Sequence, residues 1–150
     1  MRPADPIRSV LKYKSTTLFS LPPEASVYDA IELMSQKSIG AIMVMTSGRL
    51  VGFISERDYA RKVILKGKSS RDTQIREIMS VPVITVTPDD TVDECMRIMT
   101  GNRIRHLPVT DDGGKVIGIV SIGDLVKWII SAQEELIHHL HSYISGGYPG

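Results

Sequence analysis

The chain has 150 residues, of which 42% are hydrophobic, and a formal net charge of +1. This length can form one compact domain or two small ones, and the charge is too low for general binding to nucleic-acid backbones. No apolar run approaches the roughly 18 residues of a membrane span, and residues 1–6 lack the charged-then-apolar layout of a signal peptide. We therefore expect a soluble cytoplasmic protein that binds neither nucleic acid nor membranes.

The first half of the chain predicts a strand, a helix, two strands and a second helix. Pro22-Pro23 ends the first strand because proline cannot donate to a β-ladder, and Ser26 can cap the helix that follows. The predicted elements are strands at residues 18–21, 39–45 and 49–55 and helices that begin at Ser26 and near residue 56. The second helix should end near residue 65, before a polar linker at residues 66–72.

The second half of the chain repeats this order and ends in a longer helix. The predicted elements are strands at residues 83–86, 104–109 and 115–121 and helices at about 92–101 and from about 124 towards 143. The single cysteine, Cys95, excludes an internal disulfide bond and lies on an apolar helix face, which favours a buried thiol. The extra turns of the last helix are a candidate dimer or partner surface, and residues 146–150 should fray.

The two halves align residue by residue. Pro23-Glu-Ala-Ser-Val27 aligns with Pro88-Asp-Asp-Thr-Val92, and the register holds until one extra residue near Gly113-Gly114. A unit of roughly 50 residues is too small to bury both faces of its sheet. The two copies should therefore pack together, sheet to sheet, and any site should occur twice.

The ends of the two copies resemble a known family. Residues 50–58, Leu-Val-Gly-Phe-Ile-Ser-Glu-Arg-Asp, and residues 116–124, Val-Ile-Gly-Ile-Val-Ser-Ile-Gly-Asp, are similar to the closing signature of CBS domains. Residues 103–109, Arg-Ile-Arg-His-Leu-Pro-Val, are similar to the middle strand of that family. From about Arg8 to Trp128 the chain therefore resembles a pair of CBS domains, which are named after cystathionine beta-synthase and which together form a Bateman module.

This resemblance leads to a prediction of the fold. We expect an α+β protein made of two pseudo-symmetric CBS units, each with the order β-α-β-β-α, and a long C-terminal helix. The predicted boundaries are residues 8–68 for the first CBS domain, 76–133 for the second, and 134–150 for a helix extension with a flexible tail.

The resemblance also implies a function. CBS pairs are non-catalytic modules that bind adenosine-containing ligands such as AMP, ADP, ATP or NAD(H) in clefts between the two copies. They usually form disc-like homodimers through the second helix of each copy. We interpret the chain as a stand-alone regulatory module for energy or redox sensing, without a catalytic cofactor, that signals to a separate protein partner. A ligand can do so only by binding two conformations unequally.

The two Ser-x-x-Asp motifs are the predicted ligand sites. Ser55 and Ser121 each end a strand and begin a helix, where backbone N–H groups and the helix dipole favour a phosphate. Asp58 and Asp124 lie one turn further along the same face. Because a carboxylate can accept two hydrogen bonds at once, we expect these aspartates to bind the 2′,3′-diol of ribose.

The middle strands carry the candidates for adenine binding. The residues that could cover or contact the edge of the ring are the side chains of Ile39, Ile42, Ile104 and Leu107 and the peptide groups of Ala41 and His106. Basic residues differ between the copies, with Arg57, Arg61 and Lys62 in the first and Arg103, Arg105 and His106 in the second. We expect Arg57, and Arg105 or His106, to contact phosphates, so the two sites should prefer different ligands.

Other interpretations of these residues stay open. Arg61 and Lys62 can equally form a solvated face, and His106 can be a satisfied, partly buried histidine. Ser-x-x-Asp at a helix start is also an ordinary capping box, so a scaffold with vestigial nucleotide sites would explain both motifs. A metal enzyme that uses His138 and His141 is a remote alternative, because no ligand cluster completes such a site and an amphipathic packing helix explains both residues.

Overall fold

A computed structural model of the protein describes residues 2–14 and 17–145, with side chains up to residue 142. The helices are α1 (Ile7–Leu11), α2 (Val27–Lys37), α3 (Glu56–Tyr59), α4 (Val92–Asn102) and α5 (Ile122–Ser145). The strands are β1 (Ser20–Leu21), β2 (Ala41–Thr46), β3 (Arg49–Ser55), β4 (His106–Thr110) and β5 (Val116–Ser121). A π-helical turn at Ala60–Ile64 continues α3, and a 3₁₀ turn lies at Ile75–Glu77. The predicted α+β class is confirmed, and the duplicated order of elements is confirmed except for the first strand of the second copy.

The chain folds into two compact units, and each unit combines segments from both halves of the sequence. The first-copy unit is Thr17–Ile84, and the second-copy unit comprises the described parts of Met1–Thr16 and Thr85–Gly150. The segment that precedes each copy in the chain therefore belongs to the unit of the other copy. The sequence analysis did not predict this exchange.

The first-copy unit contains a three-stranded sheet in the order β1-β2-β3. Strand β1 is parallel to β2, and β2 is antiparallel to β3. The connecting turn is formed by Ser47 and Gly48, which both have positive φ, as expected for a tight hairpin. This sheet ends at Ser55, so the first Ser-x-x-Asp motif lies where β3 meets α3.

The second-copy unit contains the antiparallel pair β4-β5, and the strand predicted at residues 83–86 is wrong. Val86 makes the single parallel bridge of this stretch, donating to Pro108 O at 3.0 Å and accepting from Thr110 N at 2.9 Å. The next donor in a parallel ladder would be the nitrogen of Pro108, which carries no hydrogen. The ladder therefore cannot extend from Val86 towards Ile84.

Strands β2 and β4 begin two residues later than predicted because the residues before them complete the caps of the preceding helices. Ser38 and Arg103 both have a φ of 54°, the left-handed conformation that often ends a helix. Ile39 N and Ile104 N then donate back to the helix carbonyls of Met34 and Met99, each at 3.0 Å. These residues therefore complete helix caps and do not start the strands.

Each unit has its own apolar core, formed by helix and strand positions that repeat between the copies. The core of the first-copy unit consists of Val27, Ala30, Met34, Ile42, Val44, Ile54, Val63, Ile75 and Ile78. The core of the second-copy unit consists of Ile7, Val10, Val86, Val92, Cys95, Met99, Leu107, Val109, Val120, Leu125 and Trp128. Cys95 is buried, as predicted, and burial raises its pKa to about 12.

The exchanged segments are attached to the two units by equivalent contacts. Ile7 and Ile75 are both fully buried, each in the core of the unit that holds it. Their N–H groups donate to the carbonyl oxygens of Asp90 and Ala25, each at 2.8 Å. Helix α1, which the sequence analysis missed, is thus the counterpart of the 3₁₀ turn at Ile75–Glu77.

The glycine of each closing signature is required by close packing against these exchanged segments. A Cβ atom added to Gly118 would lie 2.7 Å from Cδ2 of Leu11, well inside van der Waals contact. A Cβ atom on Gly52 would meet the thioether of Met79 in the same way. The signature glycines therefore leave room for a side chain from the segment that precedes the other copy.

The last helix, α5, begins at Ile122 and runs for 24 residues, longer than any other described helix. Its early residues Leu125 and Trp128 are buried, whereas Leu136, Ile137 and Leu140 are exposed. The tail at residues 146–150, expected to fray, lies outside the described residues. Among the described helices, none has the length and apolar character that a bilayer crossing requires.

Candidate functional site

Each Ser-x-x-Asp motif forms a reciprocal cap at the start of a helix. In the first-copy unit, Asp58 N donates to Ser55 Oγ at 3.2 Å, and Ser55 N donates to Asp58 Oδ2 at 3.0 Å. In the second-copy unit, Asp124 N donates to Ser121 Oγ at 3.1 Å, and Ser121 N donates to Asp124 Oδ2 at 2.8 Å. The capping role is thus confirmed in both copies, and a ligand role would come in addition to it.

The first N–H group of each helix is also used within the protein. Glu56 N donates to Gly40 O at 3.0 Å, and Ile122 N donates to Arg105 O at 2.8 Å. Two of the N–H groups that commonly bind anions at a helix start are therefore occupied in each copy. The predicted phosphate contact at the helix start has fewer donors than an uncapped helix would offer.

Asp58 is enclosed by polar partners from its own unit. Its side chain is 15% exposed, and Oδ1 lies 3.2 Å from Nζ of Lys62 and 3.5 Å from Oγ of Ser80. Lys62 also donates to Ile78 O at 2.9 Å. Lys62 is therefore an ion-pair partner of the candidate site, although its side chain is still 44% exposed.

Asp124 has a corresponding lysine, but this lysine comes from the N-terminal segment. Nζ of Lys14 lies 2.6 Å from Asp124 Oδ2 and donates to Ile119 O at 2.7 Å. Both side chains are partly buried, at 26% and 24% exposure. Lys14 could not be predicted from a local pattern, because it lies 110 residues from Asp124 and belongs to no motif.

The electrostatics of the second site favour an ionised aspartate and a neutral histidine. Burial raises the pKa of Asp124, but hydrogen bonds from Lys14 and Ser121 lower it by more, so the pKa falls below its ordinary value of 3.8. His106 lies opposite Ser121 in the β4-β5 ladder. Burial, followed by the charge of Lys14, lowers the pKa of His106 from 6.5, against the opposing effect of Asp124.

The predicted adenine contacts differ in how accessible they are. Ile42 and Leu107 are fully buried in the cores of their units, so neither offers a free apolar surface. Ile39 and Ile104 are only partly buried and are the better candidates to cover a ring. Ala41 is buried opposite Ser55 in the β2-β3 ladder, as His106 is paired with Ser121 in the other unit.

Of the two arginines predicted to contact phosphate, Arg57 lies within the first motif, and Arg105 precedes the strand that pairs with the second. Arg57 is exposed in the first turn of α3, and Arg105 is exposed immediately before β4. Arg103 ends α4 and is therefore not part of the middle strand, contrary to expectation. The second site thus places Arg105 beside His106, where the first copy has a glycine beside Ala41.

The histidines of α5 do not form a metal site within the described residues. No group of three or more His, Cys, Asp or Glu side chains there is arranged to hold a metal ion, and His138, His139 and His141 are exposed.

Comparison with known families decides which family the chain represents. The family described as CBS domain matches residues 7–65 and again residues 75–131. The chain belongs to the CBS-domain family. This confirms the resemblance inferred from the two closing signatures, and the two matches show that the chain is a CBS pair.

Known CBS proteins resemble the chain in sequence and in structure. The CBS domain-containing protein CBSX3, mitochondrial, of Arabidopsis thaliana is 46% identical over 128 residues, which are 82% of this chain and 62% of that protein. A CBS-domain protein from Burkholderia ambifaria MC40-6 has a TM-score of 0.82 and 47% identity, covering 85% of this chain and 96% of its own.

A third CBS pair is informative because of its ligands. The CBS domain pair of protein MJ0100, solved in complex with 5′-methylthioadenosine and S-adenosyl-L-methionine, has a TM-score of 0.76 and 27% identity. The match covers 87% of this chain and 99% of that one. Both ligands of MJ0100 contain adenosine.

Proposed function

We propose that this CBS pair is a non-catalytic regulatory module that binds adenosine-containing ligands through Asp58 and Asp124 and signals to a separate protein. The observation that carries the proposal is the duplicated carboxylate, held in the same reciprocal cap at the end of equivalent strands. The adenosine compounds bound by the related pair of MJ0100 support this ligand class. AMP, ADP, ATP and NAD(H) are the candidates, and the two copies need not prefer the same one.

The cap of helix α4 indicates that capping alone does not account for the surroundings of these two aspartates. Helix α4 has the same reciprocal cap between Thr91 and Glu94, and Glu94 is exposed to solvent. Asp58 and Asp124 are instead mostly enclosed, and each is paired with a lysine. Because enclosing a charge carries a free-energy cost, a cap gains nothing from this arrangement. The enclosed carboxylates therefore suit ligand binding in addition to capping.

The chemistry of the carboxylate fits a ribose diol. An ionised carboxylate has about four acceptor positions. The cap and the paired lysine already use part of this capacity in each copy, and Ser80 lies near Asp58 as well, so a ribose diol would take positions that the lysine vacates. Hydrogen bonds to a charged group contribute about 1.5–3 kcal/mol each. Ligands with an intact 2′,3′-diol should therefore bind more tightly than ligands that lack it.

We also propose a homodimer and a cytoplasmic location for the module. The second helix of each copy presents an isoleucine at the equivalent position, and these residues, Ile64 and Ile130, are 56% and 48% exposed. A dimer would cover both of these side chains if each lies within a contiguous apolar patch, which is the surface typical of an interface. Sedimentation velocity of the purified protein would test the dimer.

The proposal is tested by thermal-shift titration of the purified protein with AMP, ADP, ATP, NAD+, NADH and S-adenosylmethionine. A ligand at a hundred times its Kd should raise the free energy of unfolding by about 2.7 kcal/mol. Asp58→Asn and Asp124→Asn should each weaken binding about tenfold at one site, because each removes a charged acceptor. Glu94→Gln, which alters a cap of the same kind outside the site, should leave binding unchanged.

The alternative is a scaffold whose motifs serve only as caps and whose aspartates pair with the lysines without binding a ligand. This alternative predicts no stabilisation by any member of the ligand panel. It also predicts that Glu94→Gln and Asp124→Asn differ only in protein stability. Absence of stabilisation by every ligand tested would therefore favour the scaffold and overturn the ligand assignment.

A further inference from the structure

The two candidate sites differ in which part of the chain supplies the lysine that forms an ion pair with the aspartate. Lys62 lies in the same helical segment as Asp58, four residues further along. Lys14 belongs to the N-terminal segment, residues 2–14, which reaches Asp124 from the far end of the chain. Lys62 can therefore leave its aspartate by side-chain rotation alone, whereas Lys14 is part of a separate segment with its own attachments.

The N-terminal segment is attached to α5 beside the site. The indole Nε1 of Trp128 donates to Arg2 O at 3.1 Å and to Asp5 Oδ2 at 3.2 Å. Tyr13 is the residue before Lys14, and the centroid of its ring lies 5.7 Å from that of the Trp128 ring. Trp128 is the single tryptophan of the chain, so its emission reports on this attachment.

We propose that Lys14 is an internal competitor for the second ligand site, so that ligand binding to Asp124 displaces Lys14 and shifts the N-terminal segment. This inference rests on the proposed function, since it requires Asp124 to bind the ligand. It adds a coupling through a lysine of the N-terminal segment, whereas the lysine of the first site lies in the same helical segment as its aspartate.

The geometry supports competition at the carboxylate. Asp124 Oδ2 already accepts from Ser121 N at 2.8 Å and lies 2.6 Å from Lys14 Nζ. A ribose hydroxyl that donates to the same oxygen would crowd the ammonium group. When Lys14 leaves, it also loses its bond to Ile119 O. Ligand binding and attachment of the segment therefore oppose each other through one shared acceptor.

Thermodynamic linkage makes this coupling reciprocal. If the attached N-terminal segment weakens ligand binding, ligand binding must weaken attachment of the segment by the same factor. The chain continues from this segment into the first-copy unit at Thr17.

The first test measures affinity at the second site in isolation. In an Asp58→Asn background, calorimetry with AMP and with 5′-methylthioadenosine should show both probes binding at least roughly fivefold more tightly when Lys14→Met is added. Lys62→Met in an Asp124→Asn background is the matched variant of the first site. Weaker binding of AMP to the Lys14→Met protein would show that Lys14 contacts the ligand and would overturn the competition.

The second test measures movement of the segment. AMP or 5′-methylthioadenosine should change Trp128 emission in the Asp58→Asn protein but not in the Asp124→Asn protein, and Lys14→Met should reduce the change. Binding without a change in emission would overturn the coupling and leave the proposed function intact. Absence of binding by both probes in every variant, with cooperative unfolding retained, would overturn the proposed function and this inference together.

Discussion

The surroundings of Asp124 favour its charged form, whereas those of the nearby His106 favour its neutral form. Asp124 is held ionised by Lys14 and Ser121, whereas burial and the nearby positive charge disfavour protonation of His106. In the first copy an alanine replaces the histidine, so the two sites differ in polarity where they are otherwise equivalent. The candidate site of the second copy therefore carries a neutral imidazole at neutral pH.

The lowered pKa of His106 predicts a specific dependence of stability on pH. The unfolded chain binds the proton more readily than the folded one, so the free energy of unfolding falls as pH drops below about 6.5. The His106→Gln protein should lack this contribution, so that its stability relative to wild type improves between pH 7 and pH 5. Titration of the imidazole by NMR should give a pKa below 6.5, and a pKa at or above 6.5 would contradict the account.

At the residue scale, the features that depend only on neighbouring residues could be predicted from the sequence. Ser55 with Asp58, and Ser121 with Asp124, were predicted as helix starts because a cap is decided within four residues of chain. Lys14 was not predicted, because no local pattern indicates which distant cation will approach a carboxylate. The structure also corrected Arg103, which ends α4 and does not belong to the middle strand.

At the element scale, the packing of the exchanged segments can be tested through a signature glycine. Gly118→Ala should lower the free energy of unfolding by about 1–3 kcal/mol, because the new methyl group overlaps Leu11. The matched control is Gly101→Ala in α4, where an added Cβ meets open space. That control should be neutral or should stabilise the protein by about 0.5–1 kcal/mol, because alanine favours a helix.

Urea denaturation of the two glycine variants and of the wild-type protein would measure these differences in the free energy of unfolding. The double variant Gly118→Ala, Leu11→Ala should lose less stability than the sum of the two single losses, because truncating Leu11 removes the clash. Equal stability of Gly118→Ala and wild type would contradict the close approach of α1 to β5.

Most elements were predicted, and the failures have identifiable physical causes. The strand at residues 83–86 failed because Pro108, on the neighbouring strand, lacks the donor that would extend the ladder. Helix α1 was missed because five residues give too short a periodic pattern to recognise. It forms because Ile7 and Val10 are buried in a core built mainly by the other copy.

At the scale of the whole molecule, the compact units do not coincide with the sequence repeats. The family match covers residues 7–65 as its first repeat, whereas the first-copy unit is Thr17–Ile84. The repeat was recognised because its helices and strands align residue by residue. The exchange was not, because partner choice for the preceding segments depends on tertiary packing and not on a local pattern.

The exchange predicts how fragments of the chain will behave. A fragment of residues 17–84 retains Ile75 and Ile78 of the core, and we expect it to keep more structure than a fragment of residues 7–65, which lacks both. Loss of a large buried side chain from a core costs about 2–5 kcal/mol, comparable to the stability of so small a unit. Circular dichroism with urea titration would compare the two, and cooperative unfolding of fragment 7–65 alone would contradict the prediction.

The central claim is that enclosed carboxylates in both copies bind the ribose diol of an adenosine ligand. It is tested most directly by calorimetric titration of the wild-type protein with AMP and with 2′,3′-dideoxyadenosine 5′-monophosphate. We predict that AMP binds at least about tenfold more tightly, and that the difference disappears in the Asp58→Asn, Asp124→Asn double variant. Equal affinity of the wild-type protein for both nucleotides would contradict the claim.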